Sequence, residues 1–286
     1  MKITFLGAGV FGSALAKIAE YNGHEVRFYD PIKYPELKIG DVIDGADLAV
    51  YVAPSNAYAD ILPELPDNLP LVCASKGFLS KTPFARFKDF SALGGAAFAD
   101  DVLTALKDSA ESTDDSEDDT NLNVKEIGFT ASSATLEQIF STEKIKVEYT
   151  EDTLGIMLCG ALKNVYAIGA GMYGDGSVPI SYLKTVIVEM ADILEANGAS
   201  KETLKLSCGA QDLMLSCTEG SRNYRYGEQL KKSISEKSTS ENQPETIEGV
   251  SVIKSLPDHP DFALPESANI FREIVAAVES NITRKG

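Results

Sequence analysis

Three closely spaced glycines, Gly7, Gly9 and Gly12 in the run GAGVFG, constrain this chain more than any other feature. They stand between a short apolar stretch, Lys2 to Leu6, and a segment of helical periodicity from Val10 to Tyr21. A strand that turns into a helix at such glycines opens a βαβ unit that binds a dinucleotide. Gly7 permits the tight turn, Gly9 lets the backbone approach a pyrophosphate, and Gly12 lets the helix pack closely on the sheet. Val10 and Phe11 begin the helix, whose amide donors and positive dipole end favour an anion. Glu25 to Tyr29 alternates like a second strand, and Asp30 closes it eighteen residues after Gly12. A carboxylate there accepts hydrogen bonds from ribose hydroxyls and repels a 2′-phosphate, so NAD is favoured over NADP. Lys33 keeps NADP possible, and a turn or cap before Pro31 is the other reading of Asp30.

Further apolar segments at Leu48 to Ala53, Leu71 to Ala74, Ala92 to Ala97 and Ile127 to Ala131 suggest a doubly wound, mostly parallel sheet. From Asp152 onward strand signals fade into helix-like runs at 154–170, 183–196, 201–207, 226–235 and 267–280. A chain of 286 residues exceeds the usual size of one core. The pattern therefore predicts an α/β protein: a Rossmann-like, dinucleotide-binding domain over 1–152, then an all-α substrate and catalytic domain over 153–286. Two polar stretches, 107–123 and 237–244, have little apolar surface to bury and are expected to be loops.

The net charge of −17 argues against nucleic acid or an anionic membrane as partner. Seven acidic and no basic residues lie between Asp108 and Asp119, yet the rest of the chain is still acidic. An anionic substrate therefore needs a local basic pocket. Cys73, Cys159, Cys208 and Cys217 are far apart with no CxxC pair, which fits reduced thiols in a cytoplasmic protein and no resident metal. Met1 to Leu6 runs directly into the glycine turn, so no secretory leader is expected. Leu154 to Met172 is long enough to span a bilayer, but Lys163 and Asn164 at its centre point to a buried helix and no membrane insertion.

Lys163, within LGIMLCGALKNVYAIGAG, faces apolar surroundings on nearly every side of its helix. An unpaired buried ammonium is costly, so such a lysine either pairs with a carboxylate or lowers its pKa and becomes an acid or base. Asn164 adds a polar group, able to orient a substrate, on the same turn.

The run Gly160 to Asn164, GALKN, with Cys159 before it and Val165 to Gly171 after it, resembles the signature of NAD(P)-dependent glycerol-3-phosphate dehydrogenases. Other matches follow in the family's order. They are GAGVFGSALA from Gly7, Ala53-Pro54-Ser55, Ser75-Lys76-Gly77-Phe78, a looser match from Gly95 to Val102, Gln211-Asp212-Leu213, Ser216-Cys217-Thr218, Ser221-Arg222-Asn223 and Glu248-Gly249.

The resemblance implies reversible reduction of dihydroxyacetone phosphate to sn-glycerol 3-phosphate, serving lipid-precursor synthesis or redox balance, in a homodimer. It gives Lys163 the proton exchange at the substrate oxygen and Lys76 the polarisation of the same carbonyl, with Asp212 orienting or balancing the pair. Arg222 and Asn223 grip the phosphate, Ser216 adds a hydroxyl, and Pro54, Ser55, Lys76, Arg222 and Glu248 border the cofactor. A helix cap for Asp212, a surface salt bridge for Arg222, and Arg225 in its place at the phosphate are the competing readings.

The chain departs from the family at Tyr173 to Val188, YGDGSVPISYLKTVIV, where an expected asparagine- and lysine-bearing stretch and an arginine are replaced. Gly94 to Asp101 lacks the usual proline, the acidic stretch after it reads as an insertion, and the chain is short for the family. These departures leave open a related dehydrogenase acting on another small hydroxy or keto compound, or a catalytically silent dinucleotide sensor.

Overall fold

A computed structural model describes residues 1–111, 126–174, 177–236 and 247–283. The chain divides into two compact units, Met1–Ser75 with Lys81–Thr153, and Lys76–Ser80 with Leu154–Gly286.

The first unit runs β1 (Lys2–Leu6), α1 (Val10–Tyr21), β2 (Glu25–Tyr29), α2 (Ile39–Ile43), β3 (Leu48–Tyr51), α3 (Tyr58–Ile61), β4 (Leu71–Cys73), β5 (Phe90–Gly95), α4 (Ala99–Glu111), β6 (Ile127–Ala131), α5 (Thr135–Phe140) and β7 (Ile145–Tyr149). Among the described residues these strands form one sheet, ordered β2-β1-β3-β4-β5-β6-β7. Every neighbouring pair is parallel except β5 with β6. Parallel strands are covered on both faces and so are continuously apolar; all of β3, LAVY, is buried. The core gathers Ile3, Phe5, Leu15, Ile18, Val50, Val72, Phe129, Ile139 and Phe140. Strand β1 lies between β2 and β3, so the chain reverses direction across the sheet at the carboxyl end of β1, where open α/β sheets bind ligands.

Two expectations are corrected in this unit. Strand β7 was not expected, because at the sheet edge only Ile145 of IKVEY is fully buried and the apolar signal is thin. Residues 107–111, expected to be loop, continue helix α4. Val102, Ala105 and Ser109 are buried at helical spacing, and the Ser109 hydroxyl donates to the Ala105 carbonyl at 2.8 Å. Residues 112–123 and the second polar stretch, 237–244, lie outside the described residues.

In the second unit follow α6 (Thr153–Tyr173), α7 (Ile180–Ala196), a 3₁₀ turn (Lys201–Lys205), a wide turn (Ser207–Gln211), α8 (Asp212–Ser216), α9 (Arg222–Glu236), α10 (Glu248–Ser255) and α11 (Asn269–Thr283). Helix α6 is long and apolar enough to cross a membrane, and it is the core of this unit: every residue from Gly155 to Gly171 is buried. Helix α9 approaches α6 to backbone contact. A methyl group on Gly227 would lie 1.9 Å from the Ile168 carbonyl oxygen, so only glycine fits. Buried Glu189 accepts from the Tyr166 hydroxyl at 3.1 Å and from the amides of Ile270 and Phe271, at 2.8 and 3.1 Å, fixing the start of α11. Helix α10 was not expected; eight residues are too few for a clear helical period.

Candidate active site

The glycine loop is assembled at the carboxyl ends of β1, β2 and β3, where register pairs Leu6 with both Tyr29 and Tyr51. Gly7 has φ +120°, and a methyl group there would sit 2.7 Å from the Ala53 amide nitrogen. A methyl group on Gly12 would meet the Gly7 oxygen and Val52 Cγ1, both at 2.7 Å. These two glycines are required by the protein's own packing. Gly9 is not: its φ of −64° suits any residue, and a methyl group there would meet nothing within 4 Å. Open space above Gly9 at the start of α1 fits a pyrophosphate held on the helix amides, so these residues suit a dinucleotide. Val10 is exposed and Phe11 partly so, with its ring against Phe129.

Asp30 is already engaged within this unit. Its carboxylate accepts from the amide of Ala8 at 2.8 Å and from those of Ile32 and Lys33 at 3.0 Å each. Burial pushes its pKa up, but those amides and the Lys33 ammonium outweigh burial and hold it below the usual carboxylate value. The carboxylate is therefore charged at neutral pH and also forms the turn that the alternative reading anticipated. Lys33 reaches back to the Ala8 carbonyl. Pro54 and Ser55 follow β3, with the Pro54 carbonyl tied to the Tyr51 hydroxyl at 2.8 Å.

In the helical unit, three charged residues expected to act together do meet. Lys163 on α6 donates to Asp212 Oδ1 at the start of α8, and Lys76 Nζ lies 3.6 Å from Asp212 Oδ2. Asp212 and Lys163 are buried, 2% and 4% exposed, while a fifth of the Lys76 side chain is accessible. Burial lowers the Lys163 pKa from 10.5 to about 7; the Asp212 carboxylate opposes this fall and the Lys76 ammonium reinforces it. Lys163 is thus paired with a carboxylate, while burial draws its pKa toward the range of an acid or base. The first turn of a helix is a favourable place for the Asp212 charge.

Asn164, expected to orient substrate, donates from Nδ2 to the Lys76 carbonyl at 2.8 Å and the Gly160 carbonyl at 3.0 Å. Asn223 of α9, expected at the phosphate, donates to Asn164 Oδ1 at 3.0 Å and accepts from the Gly249 amide at 2.9 Å. Ser216 is buried on α8. Arg222 is exposed at the start of α9, and its charge partly offsets the burial that raises the Glu248 pKa. The rival Arg225 instead donates to the carbonyls of Glu219 and Gly220, at 2.8 and 3.2 Å, bracing the turn before α9. Reasoning from sequence missed the backbone part of this site, the Lys76 carbonyl and the Gly249 amide. The Glu248-Gly249 pair was the one signal of the latter.

Residues 152–284 match the family model described as NAD-dependent glycerol-3-phosphate dehydrogenase C-terminus. The chain is 29% identical over 276 residues to a glycerol-3-phosphate dehydrogenase (NAD(P)+) of Maridesulfovibrio salexigens, covering 80% of each protein. A protein of the same name from Teredinibacter turnerae is 27% identical over 304 residues, 91% of this chain and 86% of that one. The crystal structure of glycerol-3-phosphate dehydrogenase from Coxiella burnetii is similar in fold, with a TM-score of 0.73 at 19% identity over 99% of this chain and 98% of that one.

Proposed function

We propose that this chain, which belongs to the family of NAD-dependent glycerol-3-phosphate dehydrogenases, interconverts dihydroxyacetone phosphate and sn-glycerol 3-phosphate. The observation that carries the reading is the pair of lysines held on the single carboxylate of Asp212. A nicotinamide dinucleotide, when bound, supplies or takes the hydride. Lys163 gives its proton to the carbonyl oxygen during reduction and takes it back during oxidation, a role its depressed pKa suits. Lys76 offsets negative charge developing on that oxygen. Asp212 keeps both amines together without itself taking part in the proton transfer.

Arg222, exposed at the start of α9, is the residue assigned to the phosphate and supplies the local positive charge that an acidic protein needs for an anionic substrate. NAD is the preferred cofactor, since the charged Asp30 disfavours a 2′-phosphate; Gly7, Gly9, Gly12, Pro54, Ser55 and Glu248 complete that assignment. All four cysteines are buried thiols, and a reducing, cytoplasmic setting is part of this reading. The homodimer that the family resemblance implies is part of this reading. Sedimentation of the full chain tests that assembly.

The decisive experiment follows NADH absorbance with dihydroxyacetone phosphate, then with unphosphorylated ketones. Turnover confined to the phosphorylated ketone, abolished in Lys163→Ala with NADH affinity retained, is the expected result. Turnover only with another ketone would replace the substrate, and NADH binding without any turnover would favour a sensor.

A further inference from the structure

We propose that a cavity at the far end of α6 in the helical unit, walled by Tyr173, Tyr182 and Ile270 and flanked by the carboxylate of Glu273, binds a small alkylammonium ion. The site stands apart from the proton-transfer groups, so the inference does not rest on the choice of substrate.

The cavity measures about 360 Å³ and lies between the end of α6, the first two turns of α7 and the first turn of α11. That is room for a small molecule. Tyr173 follows Lys163 by ten residues on the same helix, roughly 15 Å along its axis. Most of the wall comes from Tyr173 to Val188, the stretch in which the chain departs from its family.

The charged groups select the sign of the ligand. Glu273 accepts a bond on Oε2 from the Tyr173 hydroxyl; among the described residues its Oε1 accepts none and no lysine or arginine pairs with it. Arg272, its neighbour in sequence, is turned instead to the carbonyls of Leu264, Pro265, Glu266 and Ala268, at 2.8 to 3.2 Å. No basic side chain lines the cavity, so an anion would meet only repulsion there. A divalent metal needs more donors than one carboxylate, and among the described residues no group of three His, Cys, Asp or Glu side chains could hold one.

The rings select an organic cation. Tyr173 and Tyr182 pack with centroids 5.5 Å apart at 40°. Tyr182 is buried and fixed, its hydroxyl donating to the Tyr166 carbonyl at 2.5 Å, whereas Tyr173 is 42% exposed. Burial and the bond to Glu273 push the Tyr173 phenol up to about 12, so the ring stays neutral. A neutral tyrosine face attracts a cation, Glu273 Oε1 accepts one of its N–H groups, and Ile270 and Pro179 border an alkyl chain. The net charge of −17 raises the concentration of cations near the protein.

Titration of the full chain with n-butylammonium chloride at constant ionic strength, followed by saturation-transfer NMR of the ligand, tests the site. Saturable binding is expected. Glu273→Gln keeps an acceptor for Tyr173 but removes the charge, and should weaken binding about tenfold. Glu273→Lys, which places an ammonium in the cavity itself, should abolish it. Tyr173→Leu should weaken it about two- to fivefold; if that variant fails to fold by circular dichroism, the two Glu273 variants decide. Butyrate and 1-butanol, of the same chain length, should bind far more weakly. No readout involves turnover, so this site and the proposed function stand or fall separately. Equal binding of 1-butanol, affinity unchanged by Glu273→Gln, or no saturable binding of butylammonium would each overturn the proposal.

Discussion

Lys163 and Asp212, 49 residues apart in sequence, share a buried ion pair through one carboxylate oxygen, while the other oxygen faces Lys76. One anion thus serves two cations away from bulk water. Asp212→Asn should break this arrangement in two ways. Leaving buried charge uncompensated should cost about 3–5 kcal/mol in denaturant unfolding. The Lys163 pKa, which the carboxylate raises, should fall further, displacing the pH profile of reduction toward acid. A profile with an unmoved midpoint would contradict the assigned coupling.

Protonation of Lys163 also fixes the direction of pH dependence in the native protein. On the proposed mechanism reduction needs the ammonium, so kcat/KM for dihydroxyacetone phosphate should fall as pH rises through about 7. Oxidation needs the free amine, and its kcat/KM should rise over the same interval. Stability follows a separate rule. The unfolded chain holds this proton up to about 10.5 while the folded chain releases it near 7, so between those values the unfolded state binds more protons. This group's contribution to stability should therefore increase with pH, to be seen as a denaturation midpoint that Lys163→Met makes less dependent on pH.

Gly9→Ala should separate ligand binding from folding. The backbone at Gly9 suits alanine and the added methyl meets nothing in the protein, so stability should rise by about 0.4–1 kcal/mol through a restricted unfolded chain. NADH affinity, measured by fluorescence titration, should fall because the methyl occupies the space above the loop. Gly12→Ala should instead lower the melting temperature, since its methyl would press on the Gly7 oxygen and Val52.

The two arginines of SRNYR should respond differently. Arg222→Ala should raise KM for dihydroxyacetone phosphate at least tenfold and leave dihydroxyacetone turnover nearly unaltered. Arg225→Ala removes bonds to the Glu219 and Gly220 carbonyls and should cost about 1 kcal/mol of stability with little change in KM. The reverse pattern would exchange their roles.

Much of this was legible in the sequence, unevenly and for physical reasons. The glycine loop could be read because strand, turn and helix are contiguous in the chain, and Lys163 because a lone ammonium in an apolar run contradicts its surroundings. That the sheet would be mostly parallel followed from its run of apolar segments, but the reversal between β5 and β6 is set by long-range pairing. Helix α4 outlasted its apolar signal because Ser109 is buried by bonding to its own helix, a satisfaction that no apolar count records. The bond from Asn164 to Lys76 spans 88 residues and ends on a carbonyl, a group every residue carries and composition cannot mark.

For anyone wishing to retune coenzyme choice, the three amides that converge on Asp30 carry a warning. Exchanging this acid for a neutral residue to admit the 2′-phosphorylated form would withdraw the keystone of the bend after β2, and the redesign would unravel the cradle it meant to widen. The safer course leaves Asp30 in place and works with Lys33, the cation beside it, whose backbone amide holds the bend whatever its side chain does.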